Sequence, residues 1–455
     1  MLSALDIIFI VAYFVIILIV GFLAGKKETN EGFLIADRKL NALSAAMTIS
    51  ASKIGAGLLL AYTALVYLYG LGAIWFFLGY IFGYIVFYFF IKKIKRLSDE
   101  KRYYTLSDFF FDKYGTLAGY LTAFIVFITM FGWVIVNFIG GAKILNTFIP
   151  LSFELSIIII GLVILAYLII GGFKATVRTD AVQFLGILLL FFLMGYLMFN
   201  YSYSLQTSDF NLFSIPVGQI INFFLAGLFF PLASAELWQR VYAMKDEKTL
   251  KKSLILASTF YIIIGVVLMF IGIIIRTKLA GIDPDTSLVM GFSELLPAGL
   301  VGVGIIVFYS AVMSSADTFL FTSASSLSQD FIARIKQLSK EKLLKVMKIV
   351  MAGLTAIAIV LSIGLRDIID TTFLFVALTM SLGFLVMFLW IVPKLNKYSL
   401  NLALIFSFVG IIILSILKGI SVSLVIYSLG FSVIGLIIGE IYFRIKLITL
   451  AKIKK

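Results

Sequence analysis

Long apolar stretches follow one another along almost the whole chain, and each is about as long as a helix that crosses a bilayer. Such a helix needs about 20 apolar residues. Here 62% of the residues are hydrophobic and 13% are charged, whereas soluble domains are roughly half apolar and a quarter charged. The sequence therefore predicts an all-α membrane protein and excludes a water-soluble globule.

The breaks between the apolar stretches indicate about thirteen transmembrane helices, whose boundaries are defined to within several residues. The first stretch has no basic residue before it and is followed directly by Gly25, Lys26 and Lys27. A secretory signal has the opposite polarity, so this stretch is predicted to be a retained helix. The predicted spans are 7–24, 41–69, 70–91, 118–147, 152–172, 176–200, 217–239, 253–277, 298–327, 347–365, 371–392, 400–417 and 421–443.

The basic residues predict an orientation, because Lys and Arg concentrate in cytoplasmic loops. With the N-terminus outside, 31 of the 37 Lys and Arg fall on the inner side, five fall outside and Lys53 lies within a span. The sequence thus predicts a multi-pass protein of the cell membrane with a cytoplasmic C-terminus. The net charge of +14 then indicates attraction to anionic membrane lipids, and no nucleic-acid partner is expected.

The chain contains no Cys and no His. This excludes thiolate nucleophiles, disulfides, haem ligation by His and every catalytic triad that needs an imidazole, and it removes the usual zinc ligands. No cofactor is predicted. Chemistry in the membrane is left to carboxylates, hydroxyls, Lys, Tyr and backbone carbonyl groups.

Four charged residues are predicted to lie in the membrane interior, away from the span ends: Lys53, Asp180, Glu236 and Asp317. Charges within a membrane are costly and are usually functional. Each also has a structural explanation. Lys53 could extend to a surface, Asp180 could stabilise the first turn of a helix through the helix dipole, and Glu236 could pair with Arg240 four residues later.

Small residues surround Lys53 halfway along the span 41–69, and the glycines there favour an unwound segment. Unwound helices expose carbonyl oxygens, from which transporters build ion and solute sites near the bilayer midplane. Gly227 and Pro231 interrupt the span 217–239, five spans later, which is the pattern of an inverted repeat. The residues assigned to the solute pocket are Ser52, Gly55, Gly57 and Gly227.

Ser314 and Ser315 precede Asp317 by three and two residues, in a stretch of small side chains. Hydroxyl and carbonyl oxygens are hard ligands that suit a small cation. Small residues also let helices pack closely, so the two serines have a packing explanation as well. Gly79 and Gly83 offer another such helix contact, and the oligomeric state stays open.

At these residues the sequence resembles the sodium/solute symporter family. The strongest similarities are the stretches 171–183, 239–243 and 313–317, the last of which looks most like the choline-carrier branch, and a weaker one covers 104–115. The resemblance implies a LeuT-type bundle of five plus five helices in inverted repeat. It divides the chain into 1–40 (an extra N-terminal helix and an inner loop), 41–200 (the first repeat), 201–216 (an outer loop), 217–392 (the second repeat) and 393–455 (two further helices and a basic tail).

The resemblance also implies a sodium site between the first and eighth helices of this core. Asp180 falls on an acid that the family associates with a neighbouring cation or proton site. Together with Lys53 and Asp317, it is assigned to cation or proton coupling. Carried over by position, the ligands of the sodium site are the carbonyl oxygens of Ala51, Ile54 and Ala311 and the hydroxyls of Ser314 and Ser315.

Lys53 departs from the family pattern, in which a neutral or acidic residue occupies this place. Like charges in a dry site repel each other, so we hypothesise that Lys53 occupies or screens the cation site, paired with Asp180 or Asp317. Sodium coupling would then be weakened or absent. A desolvated lysine could also carry a proton, whereas a carboxylate partner would hold it charged; the sequence leaves both open.

The predicted function is secondary active transport of a small polar solute, such as an amino acid or a carboxylate, by alternating access. Sodium coupling follows from the resemblance, and a sodium-independent or proton-coupled carrier is the alternative. A polytopic membrane enzyme would need an activated nucleophile or an acid-base pair, and the sequence has no recognised catalytic motif. A channel would need repeated polar residues along a pore.

Overall fold

The computed structural model describes residues 2–25, 29–201 and 211–453. Lys26 and Lys27, most of the predicted outer loop 201–216 and the last two lysines lie outside these ranges. Within them the chain is helical apart from turns, caps and one isolated backbone bridge between Leu40 and Met244. The helices are α1 (Ala4–Gly25), α2 (Asn30–Ile35), α3 (Ala42–Lys53), α4 (Thr63–Tyr69), α5 (Ile74–Lys101), α6 (Leu106–Tyr114), α7 (Thr116–Phe148), α8 (Phe153–Asn200), α9 (Val217–Ala233), α10 (Ala235–Ala243), α11 (Glu247–Lys278), α12 (Ser287–Leu295), α13 (Leu300–Ser325), α14 (Arg334–Lys336), α15 (Lys340–Leu365), α16 (Ile368–Ile391), α17 (Lys397–Lys418) and α18 (Leu424–Ile453).

By length and composition, ten helical stretches of the described residues can cross a membrane, or eleven when α9 and α10 count as one broken span. Two of these helical stretches are longer than one crossing of the membrane requires. Phe153–Asn200 has 48 residues, which is about 70 Å of helix against a hydrocarbon core of about 30 Å, and it is interrupted at Gly172, where φ is 52°. Gly57–Lys101 has 45 residues and contains a 3-10 turn that starts at Gly70. The number of thirteen spans stays a prediction.

The helices α7 and α13 lie at the centre of the molecule. Each of their spans contains an apolar stretch of 18 residues, of which 83% are buried in α7 and 78% in α13. The corresponding value for α1 is 22%. The helix α1 contacts α8 and α13 and leaves most of its apolar surface exposed. A helix with this exposure is stable only in a hydrocarbon solvent, which agrees with the predicted membrane location.

The first broken helix has a local cause. The side chain of Asn41 caps the N-terminus of α3, and the helix ends at Lys53 because Ile54 turns to a ψ of 55°. A π-helical turn, Gly57–Tyr62, then leads into α4. The unwinding predicted from the small residues around Lys53 is therefore present.

The second broken helix lies between α9 and α10, which meet at a 40° bend. Ser234 has a ψ of 90° and separates the two helices. Pro231 lies inside α9 one turn earlier and has no N–H to donate, which weakens the helix there. The interruption predicted from Gly227 and Pro231 exists, but Gly227 does not form it.

Gly227 instead permits close packing of α9 against α5. A methyl group on Gly227 would overlap the carbonyl oxygen of Phe76, and one on Gly79 would overlap the carbonyl oxygen of Phe224. Gly83 likewise faces α9, at Leu228. The small-residue contact predicted for Gly79 and Gly83 is thus made within the chain.

Candidate cation and solute site

The end of α3 faces two serines of α13. The Ser314 hydroxyl lies 2.9 Å from the carbonyl oxygen of Ala51 and 3.0 Å from that of Ala311. The Ser315 hydroxyl donates to the carbonyl oxygen of Ser52 at 2.9 Å. These residues are fully or almost fully buried. Oxygen atoms from both elements therefore meet inside the protein, where the sequence predicts a cation site.

Three of the five predicted ligands, Ala51, Ala311 and Ser314, come together around one hydroxyl. The fourth predicted ligand, Ser315, directly follows Ser314, and its hydroxyl contacts Ser52. The fifth, Ile54, directly follows the last residue of α3. All five would offer neutral, hard oxygen atoms, which suit a small monovalent cation. The described residues include no group of three or more Asp, Glu, His or Cys that could hold a metal ion.

Asn137 of α7 holds the break open, and the sequence reasoning missed it. Its Oδ1 accepts from the backbone N–H of Ala56 at 2.9 Å, and its Nδ2 donates to the carbonyl oxygen of Trp133 at 2.7 Å. A methyl group on Gly55 would overlap both Asn137 and Ser315, so the close approach requires glycine. The signal available in the sequence was an amide side chain in the middle of a mostly apolar span.

Lys53 forms a buried ion pair with Glu236. Its ammonium donates to Glu236 and, at 2.6 Å, to the Ser234 hydroxyl, and it lies 5.0 Å from the centre of the Phe230 ring. The Lys53 side chain is 2% exposed and that of Glu236 is 0% exposed. The predicted pairing of Lys53 with Asp180 or Asp317 is therefore wrong, because the side chain extends from one helix break to the other.

Arg240 forms a separate network. Its guanidinium donates to Asp180 at 3.0 Å, to Thr318 at 2.7 Å and to Thr48 at 2.9 Å. The pair predicted between Arg240 and Glu236 is wrong, since only the Glu236 carbonyl oxygen contacts Arg240. Asp180 lies in the interior of α8 and is completely buried, so it does not act through the first turn of a helix.

Asp317 is a member of neither ion pair. Its Oδ2 accepts from the Tyr167 hydroxyl at 2.8 Å, and its Oδ1 has no hydrogen-bonding partner. The three residues assigned to coupling, Lys53, Asp180 and Asp317, are thus all buried but are held by different partners.

A narrow cavity lies beside the first helix break. The space between its atoms is about 450 Å³, of which about 40 Å³ admits the centre of a water molecule. Of the residues assigned to the solute pocket, Gly55 and Gly57 line this cavity, whereas Ser52 and Gly227 do not. Its polar lining is Lys53, Asn137, Ser315, Tyr80, Trp133 and Thr372, and its other aromatic walls are Phe76, Phe230, Tyr261 and Phe319.

A larger cleft of about 780 Å³ lies between α1, α7, α8 and α13. Its walls are apolar side chains such as Ile144, Phe148 and Ile160. A polar solute would lose its hydration there without gaining hydrogen bonds. The narrow cavity beside the helix break is therefore the better candidate for a solute site.

The sequence matches known proteins over most of its length. The model of the Sodium:solute symporter family covers residues 33–398. The sodium/proline symporter 2 of Staphylococcus saprophyticus is 26% identical over 360 residues, which are 74% of this chain and 70% of that protein. The sodium/pantothenate symporter of Escherichia coli is 26% identical over 379 residues, 75% of each chain.

The fold also matches a solved structure. A sodium-coupled sialic acid symporter in its substrate-bound outward-open state superposes with a TM-score of 0.79 at 18% identity, over 96% of this chain and 98% of that one. This likeness confirms the predicted all-helical membrane fold of the LeuT type.

Proposed function

The chain belongs to the sodium:solute symporter family, and from this premise we propose that it carries a small organic solute across the membrane together with sodium. It is a multi-pass membrane transporter rather than an enzyme. The observation that supports the proposal is the contact between Ala51, at the end of a broken helix, and the Ser314 hydroxyl of α13.

A sodium ion at this contact would link α3 to α13. Its ligands would be the oxygen atoms of Ala51, Ile54, Ala311, Ser314 and Ser315. An ion that binds between two elements stabilises the conformation in which they lie together, by as much as its affinity differs between conformations. Sodium binding and the opening of the solute cavity would then be coupled in both directions.

Lys53 does not oppose this proposal once its partner is considered. A free ammonium would repel sodium, but Glu236 neutralises it within the protein. Its hydrogen bonds to Ser234 and Glu236 also direct it toward α10. We therefore propose that sodium coupling is retained and that the ion pair joins the two helix breaks.

The cavity lining supports a small solute with an apolar body and hydrogen-bond acceptors. Trp133 Nε1 and the hydroxyls of Tyr80 and Thr372 have no hydrogen-bonding partner, and each of them can donate. Four of the remaining lining residues carry aromatic rings. Amino acids and small carboxylates have this chemistry. The cavity must widen to admit them, which alternating access would provide.

Transport by the purified protein in proteoliposomes tests the function. A thermal-shift screen of amino acids and small carboxylates identifies a ligand, because a ligand that binds the folded state raises the melting temperature. We expect uptake of that ligand to accelerate when an inward sodium gradient is imposed and to fall when an ionophore collapses it. Equal uptake with and without the gradient would refute sodium coupling.

The two serines supply a sharper prediction. We expect Ser314→Ala and Ser315→Ala each to raise the sodium concentration for half-maximal uptake, by roughly tenfold, because each removes one oxygen ligand. Ser323→Ala is the matched control, since this hydroxyl of α13 donates to the Phe127 carbonyl oxygen away from the helix break. An unchanged sodium response in both site variants would contradict the assignment.

The alternative is a carrier driven by protons or by no ion. The buried pair of Lys53 and Glu236 is the feature that favours it, because both side chains carry ionisable groups. Uptake driven by a pH gradient in sodium-free buffer would support this alternative.

We also propose the orientation and the repeat boundaries predicted from the sequence. The N-terminus would lie outside and the C-terminus in the cytoplasm, since this arrangement places most basic residues inside. The inverted repeats would cover 41–200 and 217–392, each with one broken helix.

A further inference from the structure

The ammonium group of Lys53 keeps one N–H without an acceptor. An ammonium has three donors, and within the described part of the chain it uses two, to Glu236 and to the Ser234 hydroxyl. The Ser234 hydroxyl itself donates to the Phe230 carbonyl oxygen at 2.9 Å, so its oxygen is committed as the acceptor. Lys53 also lines the narrow cavity beside the first helix break. Its third N–H is therefore available to a molecule in that cavity.

Two further donors without partners belong to side chains around the Phe230 ring. They are Trp133 Nε1 and the hydroxyl of Tyr80, and both are buried. The centre of the Phe230 ring lies 5.2 Å from that of Trp133 and 5.7 Å from that of Tyr80. The Lys53 ammonium lies 5.0 Å from the same ring centre. Because most buried polar groups have a hydrogen-bonding partner, this wall of the cavity indicates a solute that accepts hydrogen bonds.

The cavity offers little to a solute that carries a positive charge. No Asp or Glu is among the described residues that line it. Glu236 binds Lys53 but is not one of the lining residues. The amide oxygen of Asn137 is already occupied, since it accepts from the backbone N–H of Ala56 at 2.9 Å. A carboxylate in this cavity therefore meets donors, whereas an ammonium meets a like charge and no acidic side chain.

The proposed sodium ion adds a second positive charge beside the cavity. Ser315 is one of its proposed ligands and also lines the cavity. Opposite charges attract strongly and like charges repel strongly where water is scarce. Sodium and a solute carboxylate should therefore raise each other's affinity, and a solute ammonium would be repelled by both sodium and Lys53.

We propose that Lys53 determines which solutes bind, because its third N–H holds the solute carboxylate and its charge excludes solutes with an ammonium group. The solute class is then small monocarboxylates that have an apolar or aromatic body and no cationic group. This inference rests on the proposed function and narrows its solutes by leaving out amino acids. The resembled family has a neutral or acidic residue at this place, so the preference is a property of this chain.

Matched pairs of ligands test the preference in the unmodified protein. Propionate and L-alanine, 4-methylpentanoate and L-leucine, and 3-phenylpropionate and L-phenylalanine differ within each pair only by the α-ammonium group. Titration calorimetry on the purified full-length protein in detergent and sodium chloride measures the dissociation constants. We expect the acid to bind more tightly than its amino acid by roughly tenfold or more, because like charges brought together in an interface cost several kcal/mol.

A double variant tests whether Lys53 causes the preference. Lys53→Met with Glu236→Leu removes both charges of the pair, and such replacements are often neutral for folding. We expect the acid to bind more weakly and the preference over the amino acid to disappear. Lys143→Met is the matched control, since it breaks a different ion pair, with Asp285, outside the cavity lining, and it should keep the preference.

A milder variant gives the same test without a change of charge. Tyr80→Phe keeps the aromatic ring and removes a buried hydroxyl that has no partner, so folding should be retained. The acid loses one donor, and we expect its dissociation constant to rise by roughly threefold to tenfold. An unchanged dissociation constant would count against the assignment of this wall to the carboxylate.

The remaining outcomes separate the role of Lys53 from the proposed function. An amino acid that binds as tightly as its acid would overturn the inference, as would a preference that persists in the folded double variant. A ligand of another chemistry, found when none of the acids binds, would also overturn it. In each case sodium-driven uptake of the ligand would still support the proposed function. Acid binding with uptake that ignores the sodium gradient would refute the sodium coupling and retain the role of Lys53.

Discussion

Replacing Lys53 by methionine should abolish solute uptake and lower the free energy of unfolding by about 3 to 5 kcal/mol. Methionine fills a similar volume but leaves Glu236 buried without its counter-charge. The second oxygen of Glu236 has no hydrogen-bonding partner, so the Lys53 ammonium is the group that stabilises this carboxylate. Unfolding in detergent, followed with increasing temperature or denaturant, measures the loss of stability, and proteoliposome uptake measures the loss of function.

A double variant distinguishes the effect of losing the ion pair from the effect of losing side-chain packing. Removing both charges in Lys53→Met with Glu236→Leu should recover most of the stability, because replacing both partners of a buried ion pair by apolar groups is often neutral. Lys143→Met is the matched control, since Lys143 binds Asp285 at 2.8 Å but is 17% exposed, and it should cost less. A double variant as unstable as Lys53→Met would show that the ion pair is not the cause.

The position of the first helix break follows from local sequence. Glycines at 55 and 57 permit an unwound segment, and the structure ends α3 at Lys53. This part of the site could be predicted because the cause and the effect lie within a few residues. The opposing serines of α13 were found for a different reason: hydroxyls next to an intramembrane acid are rare enough to stand out.

The partners of the charged residues could not be predicted in this way. Glu236 and Arg240 have the spacing of an ion pair along one helix, yet each binds a residue from a distant segment. Lys53 and Glu236 are 183 residues apart, and Arg240 and Asp180 are 60 apart. Tertiary contacts in a dry interior outweigh a pair that is worth a few tenths of a kcal/mol.

A residue whose role depends on a contact between distant segments was also missed. Asn137 acquires its role because its amide meets the free N–H of Ala56. Asn137 belongs to no motif, so the sequence alone does not single it out.

Gly227 illustrates why one residue type can mislead. A glycine within a span can allow unwinding, or it can allow two helices to touch. The sequence reasoning chose unwinding and assigned Gly227 to the solute pocket. The structure places it against the backbone of α5, next to Phe76 and Gly79, and the break occurs seven residues later, at Ser234.

We expect Gly227→Ala to lower the free energy of unfolding by about 3 kcal/mol. The added methyl group would overlap the Phe76 carbonyl oxygen, the Tyr80 backbone nitrogen and the Gly79 carbonyl carbon. Backbone atoms cannot rotate away, so α9 and α5 must separate. Because α9 carries Phe230 of the cavity wall, the maximal rate of uptake should fall as well.

Gly218→Ala is the matched control, because it makes the same change on α9 at a place with no atom within 4 Å of the new methyl group. It should leave stability unchanged or raise it by up to about 1 kcal/mol, since alanine favours a helix over glycine. If Gly227→Ala instead raised the solute KM with unchanged melting behaviour, Gly227 would belong to the pocket after all. Equal behaviour of the two variants would show that α5 and α9 do not pack as closely as their glycines allow.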